Sequence, residues 1–201
     1  MPRHLLTSAL LAVVLFFLSS TPAGAQEFNG RFSGFNEVGA LNNETGAILS
    51  EGTGTLKLTL DKSLQTITFE LTYSGLSAPV TQSHIHFGQV HTPGGIMVFL
   101  CTNLNNGPAG TQTCPSSSGT VTGTITAASV IAVPGQNVKA GDFDALTDAL
   151  FSHTAYGNIH TAAFPAGEIR AQLLPERRGR DFRRRDGDSS GSNRDDRDHG
   201  R

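Results

Sequence analysis

The sequence predicts a mainly β protein, an antiparallel Greek-key β-sandwich or barrel of about eight strands with one short helix. Three observations lead there. Apolar residues come in short bursts that alternate with polar ones. Turn residues separate the bursts, with glycine alone supplying 23 of 201 positions. Tryptophan is absent, and only one stretch shifts to a helical period. Short period-two runs between turns bury one face of a strand, and several of them together build a sheet closed on itself or packed on another.

Taken in order, the chain opens with Arg3 and His4, an almost wholly apolar run over 5–18, and the small-residue triplet Ala23-Gly24-Ala25. Basic start, apolar centre and small-residue exit are what a signal peptidase reads, so residues 1–25 are expected to be a signal peptide. The apolar run falls short of the ~20 residues a spanning helix needs, and no later segment can span a membrane. The mature chain is therefore expected to be exported, to the periplasm or outside the cell.

Residues 28–35 form an opening strand. Residues 55–60 place Leu56, Leu58 and Leu60 on one face, and after Asp61-Lys62-Ser63 the run 67–73 does the same with Ile67, Phe69, Leu71 and Tyr73. Together they predict a hairpin with one face on a core. Strands follow at 81–87 and at 96–101, the latter apolar on both faces and so either central or covered by a loop. Another spans 119–126. Asp142 then caps a helix whose Phe143, Leu146 and Leu150 share a side at helical spacing. Strands return at 156–161 and 168–173. From Glu176 the chain is Arg, Asp, Gly and Ser with one aromatic, too little apolar surface to offset ordering entropy, so 176–201 is expected to be a disordered tail. The folded domain is placed at 26–175.

The net charge of −2 hides an asymmetry. The domain carries 10 acidic and 5 basic residues, the tail 9 arginines and 7 acidic residues. An acidic domain argues against a nucleic-acid partner. Cys101 and Cys114, the only cysteines, flank a Gly/Asn/Pro-rich loop, and in an exported chain they predict one disulfide. No phosphate-cradling loop and no Ser-His-Asp or Cys-His arrangement is present, so neither an organic cofactor nor hydrolase chemistry is expected.

The residues with chemistry are histidines. In His84-Ile85-His86-Phe87-Gly88, alternation puts both imidazoles on one face, with Ile85 and Phe87 on the core side. In Asn158-Ile159-His160-Thr161, Ile159 faces the core and His160 points outward. If the two strands are neighbours, His84, His86 and His160 form a candidate site for one copper or zinc ion. The plainer reading is a set of polar residues on a wet face. His91 reads as an exposed loop residue before it reads as a ligand or gate. His153, just past the helix, suits an interaction with the helix C-terminus. Arg170 shares a strand face with Glu168 and Gln172 and reads as half of a cross-strand ion pair; the sharper alternative is a cation beside the histidines.

Glu37 after an aromatic-Gly-aromatic strand, the hairpin ending Tyr73-Ser74-Gly75-Leu76, His84-Ile85-His86, the segment Tyr156-Gly157-Asn158-Ile159-His160-Thr161, and the run Pro165-Ala166-Gly167-Glu168-Ile169-Arg170 continuing to Leu173 occur in one order. That ordered set resembles the CHRD domain, a module of chordin and of many exported microbial proteins. Gly157 and Ala171 depart slightly from its pattern. A fainter likeness links His84-Ile85-His86-Phe87-Gly88 to the copper-binding strand of copper-zinc superoxide dismutases, without a recognisable zinc set. The expectation is a non-catalytic exported binding module for an extracellular ligand or protein, with a histidine metal site. The alternatives are a superoxide dismutase-like copper oxidoreductase and a purely structural interaction domain.

Overall fold

The computed structural model describes residues 25–38, 40–41 and 44–176. The expected signal peptide and charged tail lie outside them, apart from Ala25 and Glu176. Among these residues eleven strands and one helix follow one another: β1 Gln26–Ser33, β2 Ala40–Leu41, β3 Glu44–Thr45, β4 Thr53–Asp61, β5 Thr66–Ser74, β6 Val80–Phe87, β7 Gly95–Thr102, β8 Gly119–Ile125, α1 Phe143–Phe151, β9 Ala155–Thr161, β10 Ile169–Gln172 and β11 Leu174–Pro175. A 3₁₀ turn, Gly34–Asn36, follows β1. Two more, Ala127–Ser129 and Pro134–Gln136, lie between β8 and α1.

Nine strands make one antiparallel sheet in the order β7-β6-β9-β10-β1-β4-β5-β8, with β11 added on β1, while β2 and β3 form a small separate ribbon. The sheet curls into a nearly closed barrel. The connections from β5 to β6 and from β8 to β9 step over neighbouring strands, as Greek-key chains do.

The predicted hairpin forms as β4–β5, with Leu60 opposite Ile67, Leu58 opposite Phe69 and Leu56 opposite Leu71. All six are buried, and fully burying such a side chain is worth about 1.5–3 kcal/mol. Its turn is tied by Asp61, whose Oδ1 accepts from the Ser63 and Leu64 amides and the Ser63 hydroxyl. In α1 the Asp142 side chain accepts from the Ala145 amide, and Phe143, Leu146 and Leu150 are buried, as the periodicity predicts.

The barrel seam lies between β7 and β8. There the Gln112 amide donates to the carbonyls of Leu100 on β7 and Thr122 on β8, bridging edges that do not pair directly. Ile131 donates to Met97 and Thr102 to Gln112 along the same edge of β7. The two-faced apolarity of 96–101 thus reflects a covered strand at the end of the sheet, not a central one. Cys101 and Cys114 are disulfide-bonded with Cα atoms 5.1 Å apart. The bond pins the β7–β8 loop, which also accepts a 2.6 Å hydrogen bond from Tyr73 at Pro115 O.

Inside the barrel, Gly157 is small for a reason: a Cβ there would sit 2.6 Å from the Phe32 ring. The departure from the family pattern at 157 makes room for that buried phenylalanine. At the end of the domain, Leu174 and Pro175 pair with β1, and the Glu176 amide donates to Glu27 O. Among the described residues the pairing along β1 thus reaches Glu176.

Candidate metal centre

β9 lies between β6 and β10, with His160 opposite Gln82, Asn158 opposite His84, and Tyr156 opposite His86. On its other side Asn158 faces Arg170, and Tyr156 faces Gln172. Gln82, His84 and His86, then Tyr156, Asn158 and His160, then Arg170 and Gln172, thus share the outer face of three adjacent strands.

Alternation correctly turns that face away from the barrel core, yet it is not wet. His84 is fully buried, His86 is 7 % exposed and His160 8 %. The expectation of solvent-facing histidines is corrected by the loops that fold over them. Gly94, in the β6–β7 loop, accepts at its carbonyl from His86 Nδ1 at 3.0 Å. Pro165, in the β9–β10 loop, accepts from His160 Nδ1 at 2.9 Å. Glu37, just after the first 3₁₀ turn, accepts at Oε2 from the Asn158 amide. A polar second core lies between sheet and loops.

Those two carbonyls fix tautomers. With Nδ1–H donated, the lone pair of His86 and of His160 sits on Nε2. His84 Nδ1 lies 3.3 Å from His160 Nε2. The Nε2 atoms of His84 and His86 are buried without a hydrogen-bond partner. One ligand nitrogen from each histidine lies within 4.8 Å of the other two, and among the described residues this is the single group of three or more ligands so arranged. Two nitrogens on one tetrahedral metal with ~2.0 Å bonds stand about 3.3 Å apart, so the His84–His160 spacing suits either a shared proton or a shared ion. Carbonyl acceptors behind His86 and His160 are the outer-shell arrangement that holds a metal-binding histidine in place.

The walls are aromatic. Phe99 meets His84 edge-on at 4.3 Å, and Tyr156 stacks parallel on His86 at 4.7 Å. The far face of Tyr156 carries the Arg170 guanidinium, 3.4 Å from the ring centroid. Arg170 is buried and donates through Nη2 to Gln89 O and Thr92 O, clamping the β6–β7 loop. Among the described residues the expected cross-strand ion pair of Arg170 is not formed. Glu168 instead accepts from the Ser50, Ser77 and Thr161 hydroxyls and the Ser77 amide. Burial works to raise its pKa, but those hydrogen bonds outweigh it and hold the carboxyl below its ordinary value.

Burial also keeps the three imidazoles neutral. It pushes His84 down to about 2, with the neighbouring His160 and His86 adding to the effect, and His86 down to about 4 against the opposing bond to Gly94. His160 is lowered for the same reason, opposed by its bond to Pro165. Burial raises Glu37, opposed by the Val38 amide, the charge of Arg170 and the Asn158 bond. A cluster of neutral imidazoles is chemically ready to donate lone pairs to a cation.

A family model described as the CHRD domain matches residues 28–173. The chain belongs to the CHRD-domain family. No curated protein and no solved structure matches it. Within this CHRD domain the match spans β6, β9 and β10, the three strands that build the histidine face. His91 is exposed in the β6–β7 loop with φ of 57° and stands apart from the triad. At His153 the backbone amide, not the imidazole, bonds the helix end by donating to Leu150 O. Tyr156, Asn158 and Phe99 were not singled out as site residues from sequence. The first two share His160's alternation and were open to that argument; Phe99 depends on a strand pairing that alternation does not reveal.

Proposed function

We propose that this CHRD domain is an exported, non-catalytic binding module that holds one copper or zinc ion between His84, His86 and His160. The observation that carries the reading is the triad itself: three buried neutral imidazoles from two adjacent strands, with ligand nitrogens within 4.8 Å of one another and carbonyls behind two of them. The disulfide supports an oxidising compartment, where copper and zinc are accessible and thiols do not persist. Metal analysis of protein recovered from the exported fraction tests the reading: about one equivalent of copper or zinc is expected, with copper the tighter by the usual order of divalent affinities. Less than a tenth of an equivalent after loading with either metal would sink it.

A second reading draws on the same hydrogen bonds. His86 and His160 tie down two covering loops, so the triad also serves as architecture for the surface those loops present. The two separate on metal uptake: a purely architectural triad lowers the melting temperature on mutation but binds no metal in the unmutated chain. The dismutase-like alternative gains no support, since the described residues offer one ligand group and not the pair of sites that chemistry resembles.

A further inference from the structure

We infer that the histidine site selects copper in its monovalent state, holding copper(I) more tightly than copper(II) or zinc(II). The inference rests on the metal-site reading above and concerns which ion the site favours. Three features of the ligand set and its surroundings carry it.

The first is charge. All three donors are neutral imidazoles, and no carboxylate or thiolate belongs to the group. The two buried carboxylates are committed elsewhere, Glu168 to Ser50, Ser77 and Thr161, and Glu37 to Asn158 and the Val38 amide. The fixed cation Arg170 stands behind Tyr156 on the side of His86 and offsets the charge of Glu37, with which it interacts. The second is burial. The cost of taking an ion out of water grows with the square of its charge, so a dication pays about four times the penalty of a monocation. Neutral ligands in a buried site repay that poorly. The third is coordination number. The triad supplies three nitrogens, with Phe99 edge-on to His84 and Tyr156 stacked on His86. Zinc(II) seeks a fourth, tetrahedral ligand and copper(II) a tetragonal set. A filled-shell monovalent copper is satisfied with three.

Anaerobic titration of the full chain against a copper(I)-specific chromophoric chelator, beside competition titrations with copper(II) and zinc(II), measures the preference. A copper(I) Kd at least a hundredfold below that of copper(II) is expected, equivalent to raising the reduction potential of the bound couple by about 118 mV at 59 mV per tenfold. Gln82→Glu supplies the diagnostic variant. Gln82 is His160's cross-strand partner on the histidine face and is only partly buried. Its Oε1 accepts from Asn106, a bond that glutamate keeps. The added negative charge is expected to narrow the copper(I)/copper(II) gap by about tenfold while leaving the ligands in place. Copper(II) or zinc(II) bound as tightly as copper(I) overturns the inference and leaves the metal site standing. Failure to bind any of the three ions overturns both.

Discussion

His86 divides its two nitrogens between loop and site, Nδ1 donating to Gly94 O while Nε2 is buried without a hydrogen-bond partner. Replacing it therefore does two things. His84→Ala and His86→Ala are each expected to weaken metal binding by more than the ~10–100-fold typical of losing an outer-shell partner. Because both rings are buried, each substitution should also destabilise the metal-free fold by roughly 1–3 kcal/mol. Paired metal titrations and denaturant melts measure the two effects. His91→Ala, on an exposed ring outside the triad, should change neither. This residue scale was half legible in the sequence. Period-two alternation places His84, His86 and His160 on one side of the sheet. It says nothing of burial, because the cover comes from loops around Glu37, Gly94 and Pro165 whose paths follow no period.

The elements that hold the site are two neighbouring strands and the turns that fold back on them. Gly167 shows how tightly the cover fits: its φ is +133°, and a Cβ there would lie 2.4 Å from Glu37 Oε2 and 2.5 Å from the Asn158 amide. Gly167→Ala should cost about 1–3 kcal/mol through the backbone strain alone and should displace Glu37 from Asn158. A thermal melt reads the first, and a structure of the variant the second. Farther round the barrel, Cys101 and Cys114 close a loop with a sequence separation of 13. The double serine variant is expected to lose about 3 kcal/mol, read as a shift in denaturation midpoint. Strand spans and the α1 face were legible because alternation and helical spacing leave marks in sequence. The β7–β8 seam was not, since its closure hangs on the side chain of Gln112 from a loop.

At the scale of the whole molecule, three buried neutral histidines couple stability to pH. In the unfolded chain they take up protons near ~6.5. In the folded chain they do so only at lower pH, about 4 for His86 and about 2 for His84. As pH falls below ~6.5 the unfolded state binds protons first, so stability present at neutral pH is lost from there downward. His86 alone should account for a loss on the order of 3 kcal/mol by pH 4. Melts across this range should show the fall, and His86→Ala should reduce its slope. Metal binding should outlast the ordinary imidazole range, because protons compete only as the lowered folded values are approached. The fold itself is expected to end near Glu176, the last of the described residues bonded to β1, and cutting the chain after it should leave the melting temperature within a few degrees.

The most direct test of the account is anomalous diffraction from crystals loaded with one equivalent of copper and measured at the copper absorption edge. A single peak is expected within bonding distance of all three rings, touching Nε2 of His86 and of His160. A peak elsewhere on the molecule, or none beside His84, His86 and His160, would contradict the claim that these histidines form a metal centre.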